Sequence, residues 1–439
     1  MRQNTPILQE IVDEVISKSG ITSVGKASIR EVKRLINEIE AVSGEKFVRM
    51  EMGIPGLPPC KLGVDAQIEA LKNGCASIYP DIEGIPELKT EMARFVKNFI
   101  DLDVNPECCI PTVGSMMGGM AGFMTFARTR KERDTTLFID PGFPVQKQQH
   151  RVLGLKYETF DVYNYRGEKL KDKLESYLKK GNIHSIIYSN PNNPSWICLT
   201  EQELKIIGDL ANKYDICVFE DLAYFGMDLR KNISKPGVPP YQASVGKYTE
   251  NYALLISGSK AFSYAGERIG MLVLSNHLYH KEFDDLVPYF GTKQLGRAII
   301  YGAVYAISSG TSHSAQYALA AILKGCNDGT YNYIDDIKEY SEKAAIMKRL
   351  FTENGFYIVY DKDIDQPVSD GFYFTVAYPG MTSDELLAEF MYYGISAISL
   401  GITGSERTDG LRACVSLVPR SMFPALEERL KIFNENHKK

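Results

Sequence analysis

From about residue 135 to 275 the chain switches repeatedly between two hydrophobic periods, and nothing else in it constrains the fold as tightly. Short runs rich in β-branched and aromatic residues occupy 135–140, 157–162, 185–190, 216–221, 252–259 and 269–275. Amphipathic helical segments separate several of them. One is 200–214, where Thr200 followed by Glu203 carries the signature of a helix start. Strand–helix alternation predicts an α/β layered core with a mostly parallel sheet. The runs are near-continuous rather than alternating, as strands covered on both faces require.

The flanks read differently. Residues 1–60 hold two helical patterns, a strand at 47–53 and the Pro/Gly cluster Gly53-Ile-Pro-Gly-Leu-Pro-Pro, a boundary signal. After residue 330 the pattern changes again. A helix at 334–355 leads to strand-like runs at 356–360, 371–377 and 412–417, then a last helix near 424–436. The expected organisation is an N-terminal arm with part of a small domain (1–60), a large domain (61–330) and a C-terminal small α+β domain (331–439). At 439 residues the chain is long enough for two or three such units.

Composition excludes several functions. With 44 % hydrophobic and 24 % charged residues, it is neither disordered nor fibrous. A net charge of −5 offers no basic excess for nucleic acid. The longest apolar stretch, 298–307, is about half what a membrane helix needs. Glu10, Asp13, Glu14 and Lys18 interrupt the N-terminal apolar positions, where a secretory signal would be uncharged. The eight cysteines are scattered, without a CxxC pair, which suits reduced thiols, and no metal-ligand spacing is present. A soluble cytoplasmic protein without bound metal is expected.

Chemistry concentrates in an ordered set of motifs. Gly114-Ser115-Met116 opens a helix running to about 126, and free N–H groups, a hydroxyl and the positive dipole end can bind phosphate there. Asp140-Pro-Gly-Phe143 follows a strand and offers an aromatic face for a flat ring. Ser189-Asn-Pro-Asn-Asn193-Pro-Ser ends another strand, its two Asn-Pro steps stiffening the backbone around the Asn193 amide. Asp221 ends a buried strand with Tyr224 three residues on, and a carboxylate there needs a cationic partner. Ser257-Gly-Ser-Lys260 precedes Arg268, and a lysine among hydroxyls at the mouth of an apolar sheet can act as a nucleophile. Helix caps, plain turns and salt bridges are the structural alternatives for each motif alone. As a set they describe a phosphorylated, nitrogen-containing aromatic aldehyde, pyridoxal 5′-phosphate.

With these motifs the chain resembles the class I/II aminotransferases, aspartate-aminotransferase-like enzymes of pyridoxal-phosphate fold type I, from about residue 45 to the end. The resemblance implies a seven-stranded large-domain sheet. It implies that Lys260 forms the internal Schiff base and moves the proton, that Asp221 pairs with the pyridinium N–H, and that Asn193 and Tyr224 donate to the ring oxygen. Phe143 would stack on the ring. Gly114, Ser115, the Met116 backbone, Ser257 and Arg268 would form the phosphate cup. Tyr79, in Tyr79-Pro-Asp-Ile-Glu-Gly, is similar to a tyrosine that reaches the phosphate of the neighbouring subunit, implying a homodimer with a shared active site. Gly53 resembles the loop closing over substrate, and Arg412 the arginine that grips the substrate α-carboxylate as a bidentate fork. The implied reaction moves an amino group between an amino acid and a 2-oxo acid.

The usual Asn-Pro-Thr-Gly reads Asn193-Pro194-Ser195-Trp196 here, putting the chain's single tryptophan beside the site. Met116 replaces a polar residue. A C–S β-lyase on the same fold is the alternative reaction. Such enzymes commonly carry a His after the Asp, where this chain has Leu222-Ala223-Tyr224. A transcription regulator with an aminotransferase-like domain would need a DNA-binding segment, and the residues before 45 are too few and not basic enough.

Overall fold

The computed structural model describes residues 2–438. Contacts divide the chain into two units. The larger takes Leu57–Asn192 and Cys198–Ile337; the smaller takes the residues up to Gly56, Asn193–Ile197 and those from Lys338 on. The sequence reading placed the breaks near 60 and 330 and had no reason to assign the 193–197 segment to the smaller unit.

The larger unit is built on one seven-stranded sheet. Its strands are β1 (Cys109–Thr112), β2 (Thr135–Asp140), β3 (Lys156–Asp161), β4 (Ile183–Ser189), β5 (Cys217–Leu222), β6 (Tyr252–Ser257) and β7 (Gly270–Leu274). The spatial order is β1-β7-β6-β5-β4-β2-β3. β2 through β6 run parallel, and β7 is antiparallel to both neighbours. The mostly parallel sheet of fold type I is therefore present. Continuous apolar runs such as Leu254–Ile256 and Met271–Leu274 are buried on both faces. Three helices matter for the site: α1 (Gly114–Phe126), α2 (Pro144–Leu153) and α3 (Glu201–Tyr214). α3 starts with the expected Thr200/Glu203 capping box. Glycines let α1 approach the sheet closely: at Gly122 a β-carbon would overlap the Phe219 ring, at 2.5 Å.

In the smaller unit, β8 (Tyr373–Ala377) and β9 (Leu411–Cys414) pair antiparallel inside a four-stranded sheet. The strand expected at 47–53 is only Val48–Arg49, paired parallel with Ile395–Ser396. Its continuation is spent on side-chain bonding: buried Glu51 takes Ser396 Oγ and Arg49, leaving the chain irregular toward Pro55. The 298–307 run forms a π-helical turn, Ala298–Val304, that buries Ile299, Ile300, Ala303 and Val304 and leaves Tyr301 and Tyr305 exposed. Among the described residues no helix is long and apolar enough to cross a membrane.

Candidate active site

Strand register gathers the large-unit motifs at one edge of the sheet. Parallel strands end together, so Asp140, Ser189, Asp221 and Ser257 all reach the carboxyl edge; Ser189 pairs with Asp221 directly. Antiparallel β7 begins at that edge, since Gly270 lies opposite Ser257. β1 ends there too, with Thr112 opposite Gly270. The α1 N-terminus and the Arg268 loop are thereby delivered to the same place from chain positions more than 150 apart.

Gly114 starts α1 at φ +69°, the left-handed region that favours glycine. A β-carbon there would stand 2.6 Å from Arg268 Nη2, so the guanidinium lies directly against the helix start. Ser115 N is equally close to Gly270, where a β-carbon would come within 2.8 Å. Arg268, itself at φ +51°, is held by the Ala265 carbonyl at 2.9 Å. Ser257 Oγ accepts from Ser259 N at 3.1 Å. Helix N–H groups, hydroxyls and an arginine fork thus converge, a donor set matched to a phosphate dianion. Gln149 Nε2, from α2, braces the Met116 carbonyl at 2.9 Å.

Asp221 is 6 % exposed, and among the described residues no cation pairs with it. It accepts from Gln146 Nε2 at 2.8 Å and from Ala223 N at 3.1 Å. Burial pushes its carboxyl up to about 6, against those hydrogen bonds. A buried carboxyl awaiting a positive partner fits a ring N–H⁺ of pyridoxal phosphate, as the cup fits its phosphate. Phe143 is half-buried at the N-cap of α2, with its carbonyl accepting from Gln146 N. Tyr224 is buried just past Asp221, and Lys260 is half-buried in the turn after β6. Tyr79 is 90 % exposed, beside an open cavity of about 610 Å³ shared with Cys75, Ser309 and His313.

Within the smaller unit, Arg412 is 2 % exposed on an interior strand, not at an edge. Among the described residues it makes no ion pair. Nη1 donates to Asn193 Oδ1 at 3.3 Å and Nη2 to the Glu51 carbonyl at 2.6 Å. The Nε–H is buried, with no partner among the described residues. Gly53 lies two residues beyond Glu51, against Tyr373.

Gln146 and Tyr373 escaped the sequence reading. The available signal for Gln146 was that Gln146, Lys147 and His150 put polar groups on the buried side of α2. Lys147 pairs with buried Asp140, and His150 bonds Thr136 at 2.9 Å. In the segment 284–310, Lys293 pairs with Asp284 at an exposed position and Arg297 lies over Tyr301.

Solved structures share this architecture. An alanine aminotransferase from Pyrococcus furiosus matches with a TM-score of 0.75 over 94 % of this chain and 98 % of its own, at 20 % identity. Fold and donor set together define a pyridoxal-phosphate enzyme of fold type I. The model of the family "Aminotransferase class I and II" matches residues 46–364, and the chain belongs to that family. Relatives include a probable aspartate aminotransferase of Methanocaldococcus jannaschii, 25 % identical over 74 % of this chain and 81 % of its own length. An aromatic-amino-acid aminotransferase 2 of Thermococcus litoralis is 24 % identical over 76 % of this chain and 78 % of its own. The protein is a pyridoxal-phosphate-dependent aminotransferase.

Proposed function

We propose that Lys260, Asp221 and Tyr224 carry amino-group transfer between an amino acid and a 2-oxo acid, with Arg412 reading the substrate α-carboxylate. Pyridoxal phosphate, when bound, supplies a carbonyl carbon for the amino group and a ring that accepts electrons. The observation that carries the reading is Asp221, a buried carboxyl at the carboxyl edge whose partners among the described residues are an amide and a backbone N–H.

The roles follow from chemistry. The α1 start with Gly114, Ser115 and the Met116 backbone, together with Ser257 and Arg268, binds the phosphate and sets the ring's position. Phe143 covers one face. Ionised Asp221 keeps the ring nitrogen protonated. Tyr224 and Asn193 donate to the ring oxygen; Asn193 turns its Oδ1 to Arg412, which points its amide hydrogens elsewhere. Lys260 Nζ would take the proton from the substrate Cα and hold it for return, as a base at that atom. Arg412 keeps its Nε–H, unpartnered among the described residues, for one carboxylate. Gly53 belongs to the loop that covers the substrate. The relatives bear aminotransferase names, which argues against the β-lyase alternative.

A homodimer with a shared site is part of this reading. Tyr79, almost fully exposed beside exposed Ile78, is supplied to the partner's phosphate rather than to its own. The cytoplasm is the compartment that suits eight free cysteines, all but Cys198 buried.

Replacing Lys260 with alanine tests the assignment. The Lys260→Ala protein should lose turnover and the cofactor–lysine bond that borohydride traps, while still binding the cofactor non-covalently. A borohydride-trapped peptide containing a different lysine would overturn it.

A further inference from the structure

Trp196 occupies a place where its backbone should favour glycine. It sits at φ +63°, the left-handed region that disfavours residues with a β-carbon, and its indole is completely buried. The indole fills the space above Gly371, where a β-carbon would overlap it. Its ring meets Tyr373 edge-on, with centroids 6.0 Å apart and planes at 71°. The far end of Tyr373 closes on Gly53, where a β-carbon would overlap the phenol oxygen. The face of Tyr373 lies under Arg412, with the guanidinium carbon 4.5 Å from the ring centroid.

Strand register brings the last pair together. Thr375 stands opposite Arg412 in the β8–β9 ladder, so Tyr373, two residues earlier on the same face, is a diagonal neighbour. Tyr373, Trp196 and Arg412 are all below 3 % exposed. The arginine is therefore fixed from several sides: Asn193 and the Glu51 carbonyl on its terminal nitrogens and an aromatic ring on its face.

We propose that Trp196 and Tyr373 are positioning residues for carboxylate recognition. Trp196 wedges Tyr373 beneath Arg412, and Tyr373 holds the guanidinium plane so that its unused N–H groups meet one carboxylate without rearrangement. Strained backbone at Trp196 is maintained because the indole supplies what a glycine could not, a rigid back wall for Tyr373. This rests on the reading of Arg412 as the substrate carboxylate residue.

Two small nucleophiles test it without knowledge of the natural amino acid. Aminooxyacetate and methoxyamine both displace Lys260 from the cofactor carbonyl carbon through an aminooxy nitrogen, releasing the lysine amine. Only the first carries a carboxylate. In the holoenzyme the rate ratio of the two, read from absorbance, reports carboxylate recognition. Tyr373→Leu should lower that ratio by about tenfold with the methoxyamine rate little changed, and Tyr373→Phe should retain it. Trp196→Gly tests the same wedge without touching β8 and should lower the ratio in the same direction. An unchanged ratio in Tyr373→Leu or Trp196→Gly overturns the proposal.

Trp196 also gives a readout independent of the cofactor, since it is the single tryptophan. In the cofactor-free protein Tyr373→Leu should shift its emission to longer wavelength and Tyr373→Phe should not. Wild-type emission from Tyr373→Leu would overturn the wedge. Failure of the underlying reading looks different: wild-type enzyme would show no preference for aminooxyacetate, or Arg412→Lys would leave the preference intact.

Discussion

Gln146 Nε2 donates to Asp221 Oδ2 at 2.8 Å, both side chains being buried, and this is the one side-chain bond that Asp221 makes among the described residues. The first turn of α2 therefore places Phe143 at its cap and Gln146 one turn in, the latter holding the carboxylate that a pyridinium would meet.

Gln146→Leu should weaken cofactor binding without removing it. A hydrogen bond to a charged group contributes about 1.5–3 kcal/mol, of which part is recovered by rearrangement. An increase of about tenfold in the cofactor Kd, measured by titrating the cofactor-free protein, is expected. An unchanged Kd would mean that Asp221 holds its place without the amide.

The pH dependence of cofactor binding follows from Asp221. In the cofactor-free chain burial holds its carboxyl near 6, well above an ordinary aspartate. Pairing with a ring N–H⁺ needs the ionised form, so affinity should be full above pH 7 and should fall as pH drops through 6. The loss between pH 7 and pH 5 is about tenfold for one such proton. Asp221→Asn should bind weakly and flatten this part of the profile.

Gly114→Ala should act on the phosphate specifically. The added carbon meets Arg268 Nη2 at 2.6 Å and sits on a φ of +69°, so either the helix start or the guanidinium must shift. Binding of pyridoxal phosphate should weaken about tenfold or more, while binding of pyridoxal, which lacks the phosphate, should change little. Equal losses for both ligands would indicate a general disturbance of α1.

Glu220, next to Asp221 in the chain but on the other side of β5, governs stability instead. It is fully buried, accepts from Ser244 Oγ, from Tyr188 Oη at 3.1 Å and from Val245 N at 3.2 Å, and burial lifts its carboxyl to about 7. A folded-state value above the unfolded one means the folded protein holds the proton more tightly. The stability this provides is complete below about pH 4.5 and is lost as pH rises to 7, in total about 3 kcal/mol. Denaturant unfolding at pH 5 and pH 8 should show a steeper decline for wild type than for Glu220→Gln. Parallel declines would contradict the assignment.

The alternation of apolar runs and amphipathic helices was legible in the sequence because both periods are local. A strand covered on both faces and a capped helix such as α3 announce themselves within a dozen residues. The order of Gly114-Ser115, Asn193-Pro194, Asp221, Lys260 and Arg268 was readable for the same reason, since each motif is a short turn at a strand end. Other features needed the folded chain. The expected strand at 47–53 shrank to Val48–Arg49 because Glu51 found its partners at Arg49 and Ser396, the latter more than 300 residues away. Asp221 was expected to face a cationic ring nitrogen, and nothing in the sequence announced that Gln146 would hold its carboxylate. Tyr373 gave no signal beyond that of an ordinary strand residue. Its place beneath Arg412 follows from antiparallel register and from the space left by Gly371 and Gly53. Local periodicity determines which elements form, because it depends on neighbours along the chain. Which side chains meet is set by register and close packing between distant segments, and those only the tertiary structure decides.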